Sequence, residues 1–392
     1  MSESRVRTGI IGAGFIGRVH VEALRRVGIV DIVAVADVTF ESAKRLAMAF
    51  GIDRVASDPR EVLEDPSIAA VHICTPNALH YELASAALAA GKHVLCEKPL
   101  AVSTEQAAAL VALATSRGLR NCTCHNLRYY PMVQQMRAMI AADELGDVLV
   151  AQGTYSQDWL LYDTDWNWRI DSKDGGVSRA MADIGSHWCD MLEHVTGHRI
   201  GSVCADLVTF HPVRRRSRRG VDTFAGKAAG DEATEPVQVE SEDYAGVLFR
   251  LGERAHGAMT VSQVSAGRKN QLRLEIYGTK ASVAWNGERP DELCIGRRDR
   301  GSEILLKDPA ALAPDAAAYA DLPGGHSEGY DDTFKQLFRR FYRSILDGRA
   351  RAEYPTFADG YRALTVLEAV LESHARRQWV ECAFEQAPLS PA

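Results

Sequence analysis

Lys98 stands between a carboxylate and a proline in Val94-Leu95-Cys96-Glu97-Lys98-Pro99-Leu100, where an apolar strand delivers one ammonium group to its own end. A strand-end lysine is most often a solvated charge, so the triplet Glu97-Lys98-Pro99 gains meaning only from its neighbours. Asp183 and His187 stand four apart in Met181-Ala182-Asp183-Ile184-Gly185-Ser186-His187-Trp188-Cys189-Asp190-Met191-Leu192. The spacing of Ile184, Trp188, Met191 and Val195 predicts a helix there, which puts the acid and the imidazole on one face. Such a pair suits substrate positioning and proton transfer near neutral pH. Asp190 and His194 extend that face, so a metal-ligand reading also exists; no further ligand motif accompanies it, and no metal is expected.

Near the N-terminus, Gly12, Gly14 and Gly17 have the spacing G-x-G-x-x-G, after an apolar strand Val6 to Ile11 and before a helix with Val21, Leu24 and Val27 on one face. The first glycine permits a tight turn, the second lets backbone approach a pyrophosphate, and the third allows close helix–strand packing. A second strand, Ile29 to Ala36, ends at Asp37, close to the spacing at which an acid accepts bonds from the adenine-side ribose. An acid there repels a 2′-phosphate and favours NAD over NADP. The other reading of Asp37 is a turn aspartate.

The elements that must position these groups alternate. Helices around Ser42 to Phe50 and from Pro59, a strand near Val55, and a strand Ala70 to Cys74 entering Thr75-Pro76-Asn77 follow in turn. A helix Tyr81 to Ala90, the strand carrying Glu97-Lys98-Pro99 and a helix Thr104 to Arg117 complete the pattern. Alternation predicts an α/β fold with a doubly wound parallel sheet, which binds ligands beyond the carboxyl ends of its strands. Thr75, Pro76 and Asn77 should therefore line one crevice with Glu97 and Lys98. A domain change is placed after Asn121 to Cys124, giving a nucleotide-binding domain 1–125 and a substrate and oligomerisation domain 126–392.

In the second half, Val148 to Gln157 leads into a segment with Trp159, Trp166 and Trp168 beside Asp158 and Arg169. Aromatic faces stack on sugar rings while charged groups bond hydroxyls, so this reads either as a carbohydrate pocket or as core packing. Ile200 to Phe210, Tyr244 to Leu251, Ala255 to Ser265, Gln271 to Tyr277 and Ala281 to Trp285 pattern as strands of a large, mostly antiparallel sheet. His211 to Glu242 reads as a long loop or insertion, its Arg214–Arg219 cluster solvated, and Pro290 to Asp321 reads as irregular. A helix to about Leu346 and an amphipathic helix Phe357 to Arg376 close the chain.

The formal charge of −7 on 392 residues gives no global attraction to nucleic acid or to an anionic membrane. No apolar stretch is long enough to span a bilayer and no signal-like segment opens the chain, so the cytoplasm is the expected location. Eight cysteines in such a length are no disulfide framework. Cys122-Thr123-Cys124 is one residue too tight for a zinc knuckle, which leaves reduced, structural cysteines.

Gly12-x-Gly14-x-x-Gly17, Glu97-Lys98-Pro99, Asn126-x-Arg128 and Asp183-x-x-x-His187 occur in an order and separation that resembles the Gfo/Idh/MocA oxidoreductases, in their levoglucosan dehydrogenase-like branch of sugar 3-dehydrogenases. The resemblance implies an N-terminal Rossmann domain, a C-terminal α/β domain whose open sheet mediates homodimers or homotetramers, and a helix near 356–373 packed back on the first domain. It implies NAD held by Gly12, Gly14, Phe15, Ile16, Asp37, Thr75, Pro76, Asn77, His80, Glu97, Lys98, Asn126 and Tyr330. It also implies a carbohydrate bound by Lys98, Arg128, Gln157, Trp159, Trp168, Arg169, Asp183, His187 and His326. Leu127 stands where relatives often carry tyrosine, which leaves the identity of the sugar open.

The leading expectation is reversible hydride transfer between NAD and a secondary hydroxyl, at C3, of a pyranose or pyranoside, with Lys98, Asp183 and His187 as catalytic residues. Oxidation at C3 acidifies the C2 proton, so an NAD-dependent glycosidase working by transient oxidation, elimination and re-reduction is the alternative. An anionic glycoside would employ Arg169, Arg268, Lys269 or the Arg214 cluster. A cofactor-binding sensor without turnover is the third reading, and the presence of both the lysine and the histidine disfavours it.

Overall fold

The computed structural model describes residues 5–217, 234–348 and 352–383. They form two compact units: the first takes the residues up to Asn126 and those between Asp331 and Leu364, the second Leu127–Tyr330 and those from Thr365 onward.

In the first unit the alternation appears as β1 (Val6–Ile11), α1 (Phe15–Val27), β2 (Val30–Ala36), α2 (Phe40–Phe50), β3 (Arg54–Ala56) and α3 (Arg60–Leu63). β4 (Ala70–Ile73), α4 (His80–Ala89), β5 (His93–Cys96), α5 (Thr104–Arg117) and β6 (Asn121–Thr123) follow. All the strands pair in parallel, in the order β3-β2-β1-β4-β5-β6. That is the doubly wound dinucleotide-binding order, with its switch point between β1 and β4. The strands are near-continuous Val, Ile, Leu and Ala because helices cover both faces.

The second unit opens with α6 (Pro131–Ala141), β7 (Val148–Ser156), α7 (Ser172–Gly175), α8 (Ser186–Thr196) and β8 (Ile200–Val208). Then come β9 (Val213–Ser217), β10 (Thr234–Gln238), β11 (Tyr244–Leu251), β12 (Ala255–Ser262), β13 (Gln271–Gly278) and β14 (Ser282–Asn286). β15 (Glu292–Gly296), β16 (Glu303–Leu306) and α9 (Pro314–Ala317) precede α10 (Tyr330–Asp347), which belongs almost wholly to the first unit. α11 (Phe357–Arg376) starts in the first unit and ends in the second, before β17 (Val380–Glu381).

A nine-stranded sheet runs β16-β15-β14-β13-β7-β12-β11-β8-β17, antiparallel except for β7 beside β12. That pairing aligns the carboxyl ends of β7 and β12 with the amino ends of β11 and β13. Gln157, Gln263, Asp243 and Asn270 consequently share one rim.

Three expectations need correction. The segment 211–242 is not simply a loop: β9 and β10 form an antiparallel pair, joined by residues outside the described set. Arg214 is not solvated either; it is fully buried, whereas Arg218 and Arg219 lie outside the described residues. The segment 290–321 is only in part irregular, since β15, β16 and α9 lie within it. The helix at 181–192 is continuous, but Met181–Gly185 is a π turn. Among the described residues, no helix is long and apolar enough to cross a membrane.

Candidate functional site

The first unit gathers its candidates at the carboxyl ends of β1, β2, β4 and β5. Gly12 has φ +104°, and a Cβ there would meet the Cys74 carbonyl oxygen at 2.5 Å, so only glycine makes this turn. Nothing lies within 4 Å of the place a Cβ would take at Gly14, which leaves that backbone open to approach. α1 starts immediately afterwards without a side-chain cap, its first turn carrying the exposed Phe15 and half-buried Ile16. The positive helix end thus faces the loop.

Asp37 holds this loop: Oδ2 accepts from the Ala13 N–H and Oδ1 from the Thr39 N–H, both at 2.8 Å. A carboxylate offers about four lone-pair sites, so capacity remains for ribose hydroxyls. Thr75 Oγ1, in the Thr75-Pro76-Asn77 turn, is buried without a protein partner, as befits a group that a ligand satisfies. The open glycine loop, the acid and this hydroxyl fit a dinucleotide.

Glu97 and Lys98 follow β5, with a cis Lys98–Pro99 bond. Glu97 turns into the protein: Oε1 accepts from His20 Nε2 at 2.9 Å, and Oε2 accepts from the Lys98 N–H at 3.2 Å. Burial pushes this carboxyl up, but the His20 hydrogen bond and the nearby charges of His20 and Lys98 hold it down to about 2. From His20 the network continues to His72 at 2.9 Å, on to the Tyr342 hydroxyl at 2.9 Å, and to Thr8 at 3.0 Å. His72 is pushed well below the ordinary histidine value by burial and by His20, and so stays neutral. Ligand atoms of His20, Glu97 and Cys124 lie within 4.8 Å of one another, a set the hydrogen bond between the first two already accounts for. Sequence reasoning missed His20, His72 and Tyr342. The available sign was a histidine inside each of two apolar runs, Val19-His20-Val21 and Val71-His72-Ile73.

His80 is buried, with both ring nitrogens on main-chain carbonyls of Pro99 and Thr75. Asn126 donates to Thr333 Oγ1 at 2.8 Å, which ties the end of this domain's first segment to α10.

The second unit assembles the acid–imidazole pair. Asp183 lies in the π turn and is held from two sides: Gln263 Nε2 donates to Oδ2 at 2.8 Å, and Arg169 Nε lies 3.3 Å from Oδ1. Arg169 also stacks over the Trp168 ring, its guanidinium carbon 4.4 Å from the centroid. His187 is buried in the first turn of α8. The row Asp183, His187, Asp190 and His194 does not act as one set. Asp190 makes a two-pronged ion pair with Arg128, while His194 meets Gln134 and Arg137.

Gln157 accepts from Trp159 Nε1 and donates to Asn270 Oδ1, each at 2.8 Å, and the Tyr155 hydroxyl donates to the same Asn270 oxygen. The aromatic segment is divided: Trp159 and Trp166 pack on the core cluster of Leu160, Ile170 and Val239, while Trp168 carries Arg169. Of the cations offered for an anionic sugar, Lys269 pairs with Asp158, and Arg214 shares the Asp243 carboxylate with Arg179. His326 is exposed, and Tyr330 begins α10. Gln263 and Asn270 were missed; only strand pairing brings them to the Asp183 rim.

The strand order, the glycine loop and the acid closing β2 define a protein of the NAD-binding Rossmann class. Residues 6–125 match the oxidoreductase family with an NAD-binding Rossmann fold named Gfo/Idh/MocA, and residues 133–284 match the C-terminal domain of the same family. The chain belongs to the Gfo/Idh/MocA oxidoreductases. It is 32% identical over 390 residues to levoglucosan dehydrogenase from Pseudarthrobacter phenanthrenivorans, covering 96% of this chain and 98% of that one. Glucose-6-phosphate 3-dehydrogenase from Bacillus subtilis is 27% identical, with 95% and 97% covered. A levoglucosan dehydrogenase structure in complex with NADH and levoglucosan superposes with a TM-score of 0.85 at 30% identity, covering 96% of this chain and 99% of that one.

Proposed function

We propose that the protein oxidises a secondary hydroxyl, at C3, of a pyranose or pyranoside, with Lys98, Asp183 and His187 as its catalytic residues. NAD, when bound, supplies the hydride acceptor. His187 takes the hydroxyl proton as the carbon is oxidised, and the Lys98 ammonium stabilises the negative charge developing on that oxygen. Asp183, fixed by Gln263 and Arg169, orients the sugar hydroxyl and His187. The observation that carries the reading is this doubly anchored acid, one helical turn before an imidazole, in a chain whose relatives include two named sugar dehydrogenases. Gln157, Trp159 and Arg128 serve the sugar in the same reading, and assembly as a homodimer or homotetramer belongs to it too.

The test follows NADH absorbance while the purified protein and NAD meet free sugars, anhydrosugars and aryl glycosides, with aglycone release monitored in parallel. NADH growth without aglycone is the expected result, and Lys98→Ala and His187→Ala should each lower kcat by about 100-fold or more. Aglycone release that needs NAD but builds up no NADH would replace this reading with a redox-neutral glycosidase. Near-normal turnover by both variants would remove the assigned roles.

A further inference from the structure

His80, buried at the start of α4, points Nδ1 at the Pro99 carbonyl oxygen, 2.7 Å away, and Nε2 at the Thr75 carbonyl oxygen, 2.9 Å away. Carbonyl oxygens accept hydrogen bonds and never donate them. A neutral imidazole has one N–H and serves only one of the two, leaving a lone pair against the other; an imidazolium serves both. The two carbonyls belong to the turns that follow β4 and β5. One turn carries Thr75, Pro76 and Asn77, the other Glu97 and Lys98.

We propose that His80 is a positioning residue that clasps both turns when doubly protonated and lets go of one when neutral, so that cofactor affinity is linked to a proton. The charged groups facing the ring are both on the β5 turn, Glu97 favouring the imidazolium and Lys98 opposing it. Burial opposes it most and outweighs the two carbonyl bonds, so the clasp closes on the acid side of the ordinary histidine range. The β5 turn is separately anchored through Glu97, whose Oε1 meets His20 Nε2 and whose Oε2 accepts from the Lys98 N–H, and which itself stays ionised down to about 2. Releasing His80 therefore loosens the two turns relative to each other without unfolding either.

The experiment measures NADH affinity by fluorescence for the full chain and for His80→Gln, between about pH 5 and about pH 8. Glutamine offers an amide donor to one carbonyl and an oxygen to the other, which imitates the neutral ring. The two Kd values should agree at the alkaline end, while toward acid the native chain should bind about tenfold more tightly than the variant. Parallel curves would overturn the proposal. If the variant folds poorly, nitrogen-15 imidazole NMR of the native chain decides: His80 must pass from one to two ring N–H groups on acidification, and an unchanged ring across the range rejects the clasp. The inference rests on the sugar-oxidation reading only for what it implies about Lys98. NADH binding is read without any sugar, so the two can fail independently.

Discussion

Glu97 shows how a residue beside a catalytic candidate can be given over to holding it. Its ordinary value is 4.5 and its folded value about 2, so its contribution to stability is complete above pH 4.5 and is lost as the pH falls toward 2. The contribution is on the order of 3 kcal/mol for a buried carboxylate held this way. Glu97→Gln should therefore be less stable than the native chain in urea unfolding near neutral pH, with the gap closing as the solution is acidified. A gap that does not change with pH would mean the ion pair is not its source. At this scale the sequence marked Lys98, Asp183 and His187 as candidates, because each sits in a short motif. It did not show that Glu97 faces inward, because its partner His20 comes from α1, and the chain behind His20 runs through His72 on β4 to Tyr342 on α10. Long-range partners leave no trace in local spacing.

Among the elements, the turn that carries Asp183 depends on a buried charge cluster. Arg179 and Arg214 both bond Asp243 Oδ1, and the same carboxylate accepts from the Phe210 and His211 N–H groups. Neighbouring Glu242 accepts from the N–H groups of Arg179 and Met181 and from the Ser178 hydroxyl, which fixes the start of the π turn. Asp243→Asn leaves two guanidinium groups buried with too little negative charge, so a loss of about 3–5 kcal/mol is expected in denaturant unfolding. A loss below about 1 kcal/mol would show that water compensates the pair. β9 and β10 were illegible beforehand for the same reason. Their sequences, Val213-Arg214-Arg215-Arg216-Ser217 and Thr234-Glu235-Pro236-Val237-Gln238, are polar, and the structure pairs them through Arg216–Glu235 and the burial of Arg214. β15 and β16 are masked by the polar, turn-forming residues around them, Glu288 to Asp291 and Arg297 to Ser302, although Leu293 and Ile295 do turn inward. The parallel strands and the longer antiparallel ones were legible because apolar runs and alternation suffice to mark them.

For the whole molecule, the decisive fact is that the nucleotide-binding unit is discontinuous in sequence. Its sheet comes from the first part of the chain, yet α10 adds Phe334, Leu337, Phe338, Phe341 and Tyr342 to its core, all buried. Phe334 and Phe338 pack on His20, and Tyr342 stacks on His72. Each such side chain contributes about 1.5–3 kcal/mol on burial. A fragment ending at residue 126 should therefore lack a cooperative urea transition and bind a hydrophobic dye, whereas the full chain melts cooperatively. A sharp transition in the fragment would show that the sheet is self-sufficient. Local patterning could not reveal this return, because α10 reads as an ordinary amphipathic helix whichever unit it joins.

The same discontinuity sets an order on biosynthesis. A ribosome delivers β1 to β6 first, but the helix that seals them emerges only after the whole nine-stranded sheet save β17 has been made. Most proteins complete their leading domain while the rest is still being translated. Here the domain begun first waits for a helix made after most of the second, and a nascent chain stalled before α10 offers the folding machinery a parallel sheet that still lacks the apolar side chains α10 adds to its core.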